Sequence, residues 1–88
     1  MRVYKEFARA YLTPRLRPWR KERGFTQEKM AEKLRMSSRS YAELERGESG
    51  FSATTLLLFL CLLPDEEILE VVKGFLEGVL RLEEHEAA

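Results

Sequence analysis

Side chains able to do nucleophilic, acid–base or metal chemistry are few in this 88-residue chain. His85 is the only histidine and lies in an acidic tail, and Cys61 is the only cysteine. With those two separated in this way, neither a nucleophile–base pair nor a metal site can be assembled from them. The segment Arg46-Gly47-Glu48-Ser49-Gly50 lacks the glycine spacing and following lysine of a phosphate-cradling loop. No catalysis and no cofactor or metal is expected. The chemistry that remains is charge. Lys+Arg and Asp+Glu both number 15, for a formal net charge of zero. The balance hides a split: residues 1–47 hold 13 basic and 6 acidic side chains, and residues 48–88 hold 2 and 9. One half therefore carries +7 and the other −7. A chain so divided can face a polyanion with one half while the other keeps it soluble. Two ordinary solvated faces that differ in sign are the plainer reading.

The elements that must carry these charges read as helices. Apolar residues, 44% of the chain, recur at helical rather than alternating spacing, and only 5 Gly and 3 Pro interrupt them. The expected fold is all-α: a compact bundle of about five to six helices forming a single domain over residues 1–88. Tyr4, Phe7, Ala8, Tyr11 and Leu12 form one stripe of an N-terminal helix. Thr13-Pro14 reads as a cap and first helical position of a second helix, carrying Leu16 and Trp19 inward and stopping at Gly24. Pro18 implies either a kink there or a start nearer 15–17.

Three further helix starts share one arrangement. Thr26, Ser37 and Ser52 are good N-cap types, each flanked by an apolar pair able to clamp the first turn: Phe25 with Met30, Met36 with Tyr41, Phe51 with Leu56. The first two starts are eleven residues apart, so a short helix must end near 33–34 and pass through a tight turn into the next, a helix-turn-helix arrangement. Residues 56–63 are an eight-residue apolar run, too short for a membrane span of about 20 residues. That run is read as core, with Cys61 a buried small hydrophobe in a reducing cytoplasm. Residues 1–12 show no signal-peptide stretch. After Pro64, the acidic start Asp65-Glu66-Glu67 suits a helix N-terminus, and a wide apolar stripe follows. Leu69, Val72, Phe75, Leu76, Val79 and Leu80 exceed what one small core can cover, and are expected to form a dimer interface over about 65–83. The tail 83–88 is polar and expected to fray.

Arg20, Gly24-Phe25-Thr26-Gln27, Ala31 and Glu45-Arg46-Gly47 stand in the order and spacing of the Cro and phage-repressor-like (XRE-type) helix-turn-helix regulators, which residues 16–63 resemble. The resemblance implies a core domain over about 14–63 and a recognition helix beginning near Ser37. It implies base contacts from Ser37, Ser38, Arg39, Ala42 and Glu43. Arg39 is the foremost of these, because a guanidinium can bond guanine O6 and N7 together. Glu43 could accept from a cytosine amine or simply be solvated. Phosphate contacts are expected from Gln27, Ser40, Arg46 and Ser49, with Lys29, Lys33 and Arg35 either assisting or facing water. Arg20 and Glu45 are implied to be a structural ion pair. Three residues depart from the family wording: Arg35 replaces a turn glycine, Tyr41 a smaller aliphatic and Phe51 a proline.

The expected function is thus sequence-specific binding of double-stranded DNA by a cytoplasmic homodimer on a palindromic operator, acting as a transcriptional regulator and more specifically a repressor. No membrane or small-molecule effector is implied. The alternative is a helix-turn-helix fold serving as a protein-interaction module, such as an antitoxin or anti-repressor.

Overall fold

The structure, a computed structural model, describes residues 2–87. It contains five helices: α1 (Arg2–Glu22), α2 (Gln27–Lys33), α3 (Ser38–Glu45), α4 (Ala53–Cys61) and α5 (Asp65–Ala87). There is no strand among the described residues. The core gathers Leu12 and Leu16 of α1, Met30, Ala31 and Leu34 around α2, Tyr41 and Leu44 of α3, Phe59 and Leu63 around α4, and Val71 of α5. Ala31 lets α2 and α3 approach closely, and the rings of Trp19, Phe51 and Phe59 fill the space beneath α4.

All three capped starts form as their residue types require. The side-chain oxygens of Thr26, Ser37 and Ser52 accept from the backbone N–H of Lys29, Ser40 and Thr55 at 3.0, 3.0 and 3.1 Å. The three helix exits leading to and from the motif also share one geometry. Phe25 N–H reaches back to Arg20 C=O, Met36 N–H to Ala31 C=O and Glu48 N–H to Glu43 C=O, each bond closing a left-handed cap. The cap residues are Gly24 (φ 74°), Arg35 (φ 58°) and Gly47 (φ 78°).

The N-terminal region differs from expectation. One helix, α1, runs from Arg2 through Pro14 and Pro18 to Glu22, so Thr13 caps nothing. A proline fits helical φ. What it removes is a donor to the carbonyl four residues back. Here those carbonyls belong to Ala10 and Pro14, both exposed residues of the helix. Packing along α1 offsets the lost bonds, because α5 runs antiparallel beside it. Tyr4 Oη donates to Glu83 (2.7 Å), Phe7 stacks on Phe75 (centroids 5.5 Å), Tyr11 Oη donates to Val71 C=O (2.7 Å), and Arg23 approaches Glu67 (3.9 Å). Gly74 and Gly78 of α5 make this closeness possible. A Cβ on Gly74 would stand 2.5 Å from Tyr11 Oη, and one on Gly78 would run into the Phe7 ring.

Two smaller corrections concern α4 and the tail. Cys61 is exposed, not buried. The apolar run wraps the whole circumference of α4, so when Phe59 turns inward, Leu57 and Cys61, four residues apart, share the outer side. Where fraying is expected over 83–88, the structure continues α5 as helix to Ala87, and Ala88 lies outside the described residues.

Candidate nucleic-acid interface

The recognition element is held from behind by a buried polar network. Arg20 of α1, only 8% exposed, donates to both carboxylate oxygens of Glu45 on α3, Nε at 2.8 Å and Nη2 at 3.0 Å, and its Nη1 donates to Phe25 C=O at 3.0 Å. Tyr41 Oη donates to the same carboxylate at 2.6 Å, and Gln27 Nε2, from the first residue of α2, adds a fourth bond at 3.1 Å. The implied Arg20–Glu45 pair is therefore present, and it extends to both helices of the motif. Burial opposes ionisation of Glu45, but the bonds from Arg20, Tyr41 and Gln27 outweigh it and hold the carboxyl at about 2. Burial, followed by the bond to Glu45, pushes the Tyr41 phenol well above its ordinary value. From the sequence these two partners read separately, as a core tyrosine and a phosphate-binding glutamine. The signal that joins Tyr41 to Glu45 is their four-residue spacing on one helix face.

With Tyr41 and Leu44 inward, α3 turns its other side to solvent. Ser38 and Arg39 are exposed and Ala42 and Glu43 half-buried next to them. Arg39 extends freely, 91% exposed, with Glu43 Oε2 3.7 Å from its Nε. Ser37 and Ser40 spend their hydroxyls partly on each other (3.0 Å), as well as on the cap. Gln27 is exposed yet tied to Glu45, and Arg46 is clasped by Glu48 through two bonds of 2.7 and 3.1 Å. Ser49 is half-buried in the loop that follows. Lys29 faces Glu32 (3.5 Å), Lys33 lies over the Phe25 ring (4.9 Å), and Arg35 Nη1 donates to Lys33 C=O (2.6 Å). Together these residues make a rim of cations and hydroxyls around an outward-facing helix, the arrangement needed to hold phosphates at the edges and probe base edges in the middle. Among the described residues, no cluster of three or more His, Cys, Asp or Glu could hold a metal ion, and no helix is long and apolar enough to cross a membrane.

A family model described as helix-turn-helix matches residues 16–68, more than half of the chain. The chain belongs to this helix-turn-helix family, of the Cro/C1 type. No curated protein and no solved structure matches it. As a helix-turn-helix protein it is a DNA-binding regulator, and the match spans the Arg20–Glu45 network, the α2–α3 turn and the start of α5. The first fourteen residues of α1 lie outside the match, as does most of α5.

Arg35 is the one non-glycine residue described with a left-handed backbone. Such a conformation costs an L-residue roughly 1–2 kcal/mol, part of which glycine gives back through its larger unfolded-state entropy. Arg35→Gly is therefore expected to raise stability by about 1 kcal/mol in urea titration, while Arg35→Ala, which keeps the strain, does not. Equal stabilities for the two variants would limit the strain to the entropy that glycine gives back, and a glycine variant less stable than the alanine one would show that the turn carries none.

Proposed function

We propose that this helix-turn-helix protein is a repressor that binds a two-fold symmetric operator as a homodimer, reading bases with α3 and pairing subunits through α5. The observation that carries the DNA-reading half is the outward projection of Arg39, 91% exposed beside Glu43, from a helix otherwise pinned by the Arg20–Glu45 network. Ser37, Ser38, Ala42 and Glu43 complete the base-facing surface, and Gln27, Ser40, Arg46 and Ser49 grip phosphates on either side of it. For Arg46 this requires exchanging Glu48 for a phosphate, a cheap exchange because both side chains are exposed. Support for the dimer comes from the outward row Leu69, Val72, Leu76 and Leu80. Phe75 and Val79 lie deeper, with Phe75 engaged by Phe7 and Tyr11, so they back this row. Two recognition helices so paired would enter successive major grooves about 34 Å apart, and occupancy of a promoter would block transcription.

In vitro selection from a random duplex library at near-physiological salt tests the reading. An enriched inverted repeat with half-sites about one helical turn apart is the expected result. No enrichment from a folded protein would move the assignment to a protein-interaction module. Against the selected site, Arg39→Ala is expected to lose about 1–3 kcal/mol of discrimination at one base pair per half-site while keeping non-specific affinity. Unchanged base preference would remove Arg39 from the reading surface.

A further inference from the structure

The amino-terminal half of α1 lies outside the family match, yet it brings two cations against the loop that follows α3. We propose that Lys5 and Arg9 form an additional phosphate-binding station with loop 46–52, extending the grip on DNA beyond the recognition motif; this rests on the DNA-binding reading above. The guanidinium of Arg9 lies so close to Gly50 that a Cβ there would stand 3.1 Å from Nη2 and 3.4 Å from Nε. A side chain at position 50 would displace it, so the glycine and the arginine fit as a pair.

Lys5 and Arg9 line two hollows on either side of the loop. One, of about 650 Å³, is completed by Thr13 and Gly47 and is the one suited to a phosphate; the other, of about 250 Å³, has Gly50 and Ser52 at its edge but a wall made mostly of apolar residues such as Leu12, Phe51 and Leu56. Glu6 shares the wall of the larger hollow, and the two cations outnumber it. Both cations are exposed, and among the described residues neither has a carboxylate partner. Arg23, Lys29, Arg39 and Arg46 each face a glutamate, whereas among the described residues Lys21, Lys73 and several other cations are as unpaired as Lys5 and Arg9. What singles out these two is their place against the loop, with Arg9 seated on Gly50. Unpaired cations on a concave surface complement a polyanion. Their occupant is identified by continuity: the same loop carries Arg46 and Ser49, so a DNA backbone resting on those two runs on toward Gly50 and Arg9. Contacts of this kind add affinity without sequence preference.

The test uses the full chain and a fluorescent 30-bp duplex of random sequence, with anisotropy titrations at several salt concentrations between roughly 50 and 200 mM. Each phosphate contact contributes about 0.9 to the slope of log affinity against log salt, so Lys5→Ala/Arg9→Ala is expected to flatten the slope by about 1.8. Lys5→Gln/Arg9→Gln, which retains much of each stem, should flatten it equally, with thermal unfolding unchanged in both. The control Lys73→Ala/Arg81→Ala removes two exposed charges from α5 and should leave the slope alone. A wild-type slope in the Lys5/Arg9 variants, or an equal flattening in the control, overturns the station while leaving the recognition helix in place. Failure of the wild-type protein to bind the duplex even at the lowest salt overturns the DNA reading itself, and is seen before any variant is compared.

Discussion

Glu45→Ala is expected to cost about 3–5 kcal/mol of folding stability, one of the largest effects available from a single substitution in this protein. The side chains of Arg20 and Glu45 are only 9% and 7% exposed, so removing the carboxylate leaves a nearly enclosed guanidinium with Phe25 C=O as its one remaining acceptor among the described residues. It also deprives Tyr41 and Gln27 of their acceptor. Because this carboxylate joins α1, α2 and α3, the loss falls on the motif that presents Arg39, and DNA binding should weaken along with stability. Urea unfolding followed by helical signal gives the number. A loss under about 1 kcal/mol would mean that Arg20 finds water or another acceptor once Glu45 is gone, and the network could not then be what orients α3.

The same carboxylate sets an acid limit. Its folded-state value of about 2 lies below the ordinary 4.5, so the unfolded chain takes up the proton first as pH falls. Protonation then favours unfolding: the contribution is complete above about pH 4.5 and disappears progressively toward pH 2. A displacement of this size corresponds to about 3 kcal/mol. Glu45→Gln, which has no proton to gain, should lack that portion of the acid-induced loss, and parallel pH profiles for the two proteins would show that other carboxylates control acid unfolding.

The features legible in the sequence are local ones. Thr26, Ser37 and Ser52 announce helix starts because a short side-chain oxygen bonds a backbone N–H three residues ahead, a matter of four consecutive residues. Arg20 and Glu45 are legible through the family resemblance alone, since nothing in their own neighbourhoods pairs residues 25 apart. Thr13-Pro14 misleads because its local preference for a helix start is real, while the force that carries α1 straight through it comes from α5, 60 residues away at the Tyr11–Val71 bond. The glycines at 74 and 78 are the other half of that force. In the sequence they are only gaps in an apolar stripe; beside Tyr11 and Phe7 they are the notches that admit two rings. Cys61 escapes a sequence reading for a related reason. An apolar run of eight residues is apolar on every side of a helix, so its pattern does not say which side faces in.

Introducing glutamate at both Val72 and Leu76 is expected to produce a monomer with the mass of the 10.3 kDa chain, and to weaken operator binding by a factor of about 10² or more. Leu69, Val72, Leu76 and Leu80 are 57%, 53%, 57% and 51% exposed, and steps of three, four and four residues hold them in one row along α5. The inner flank of that helix is already occupied by α1 through Phe75, Gly74 and Gly78, so among the described residues nothing covers the row. Beside it lies an apolar groove of about 220 Å³, bordered by Leu12, Leu56, Leu60 and Val72, which would widen the surface available to a partner. In a two-fold interface each patch meets itself, so every introduced charge appears twice and near its own copy. The like charges would be desolvated together, which a dimer cannot tolerate, whereas on a monomer the same exposed positions should change stability by under about 0.5 kcal/mol. Sedimentation of wild type and variant separates the possibilities. Persistence of the dimer would relocate the interface to another surface. A monomeric variant that still bound the whole operator as tightly as wild type would show that the half-sites are read independently, leaving α3 as the reading element and α5 with no part in spacing it.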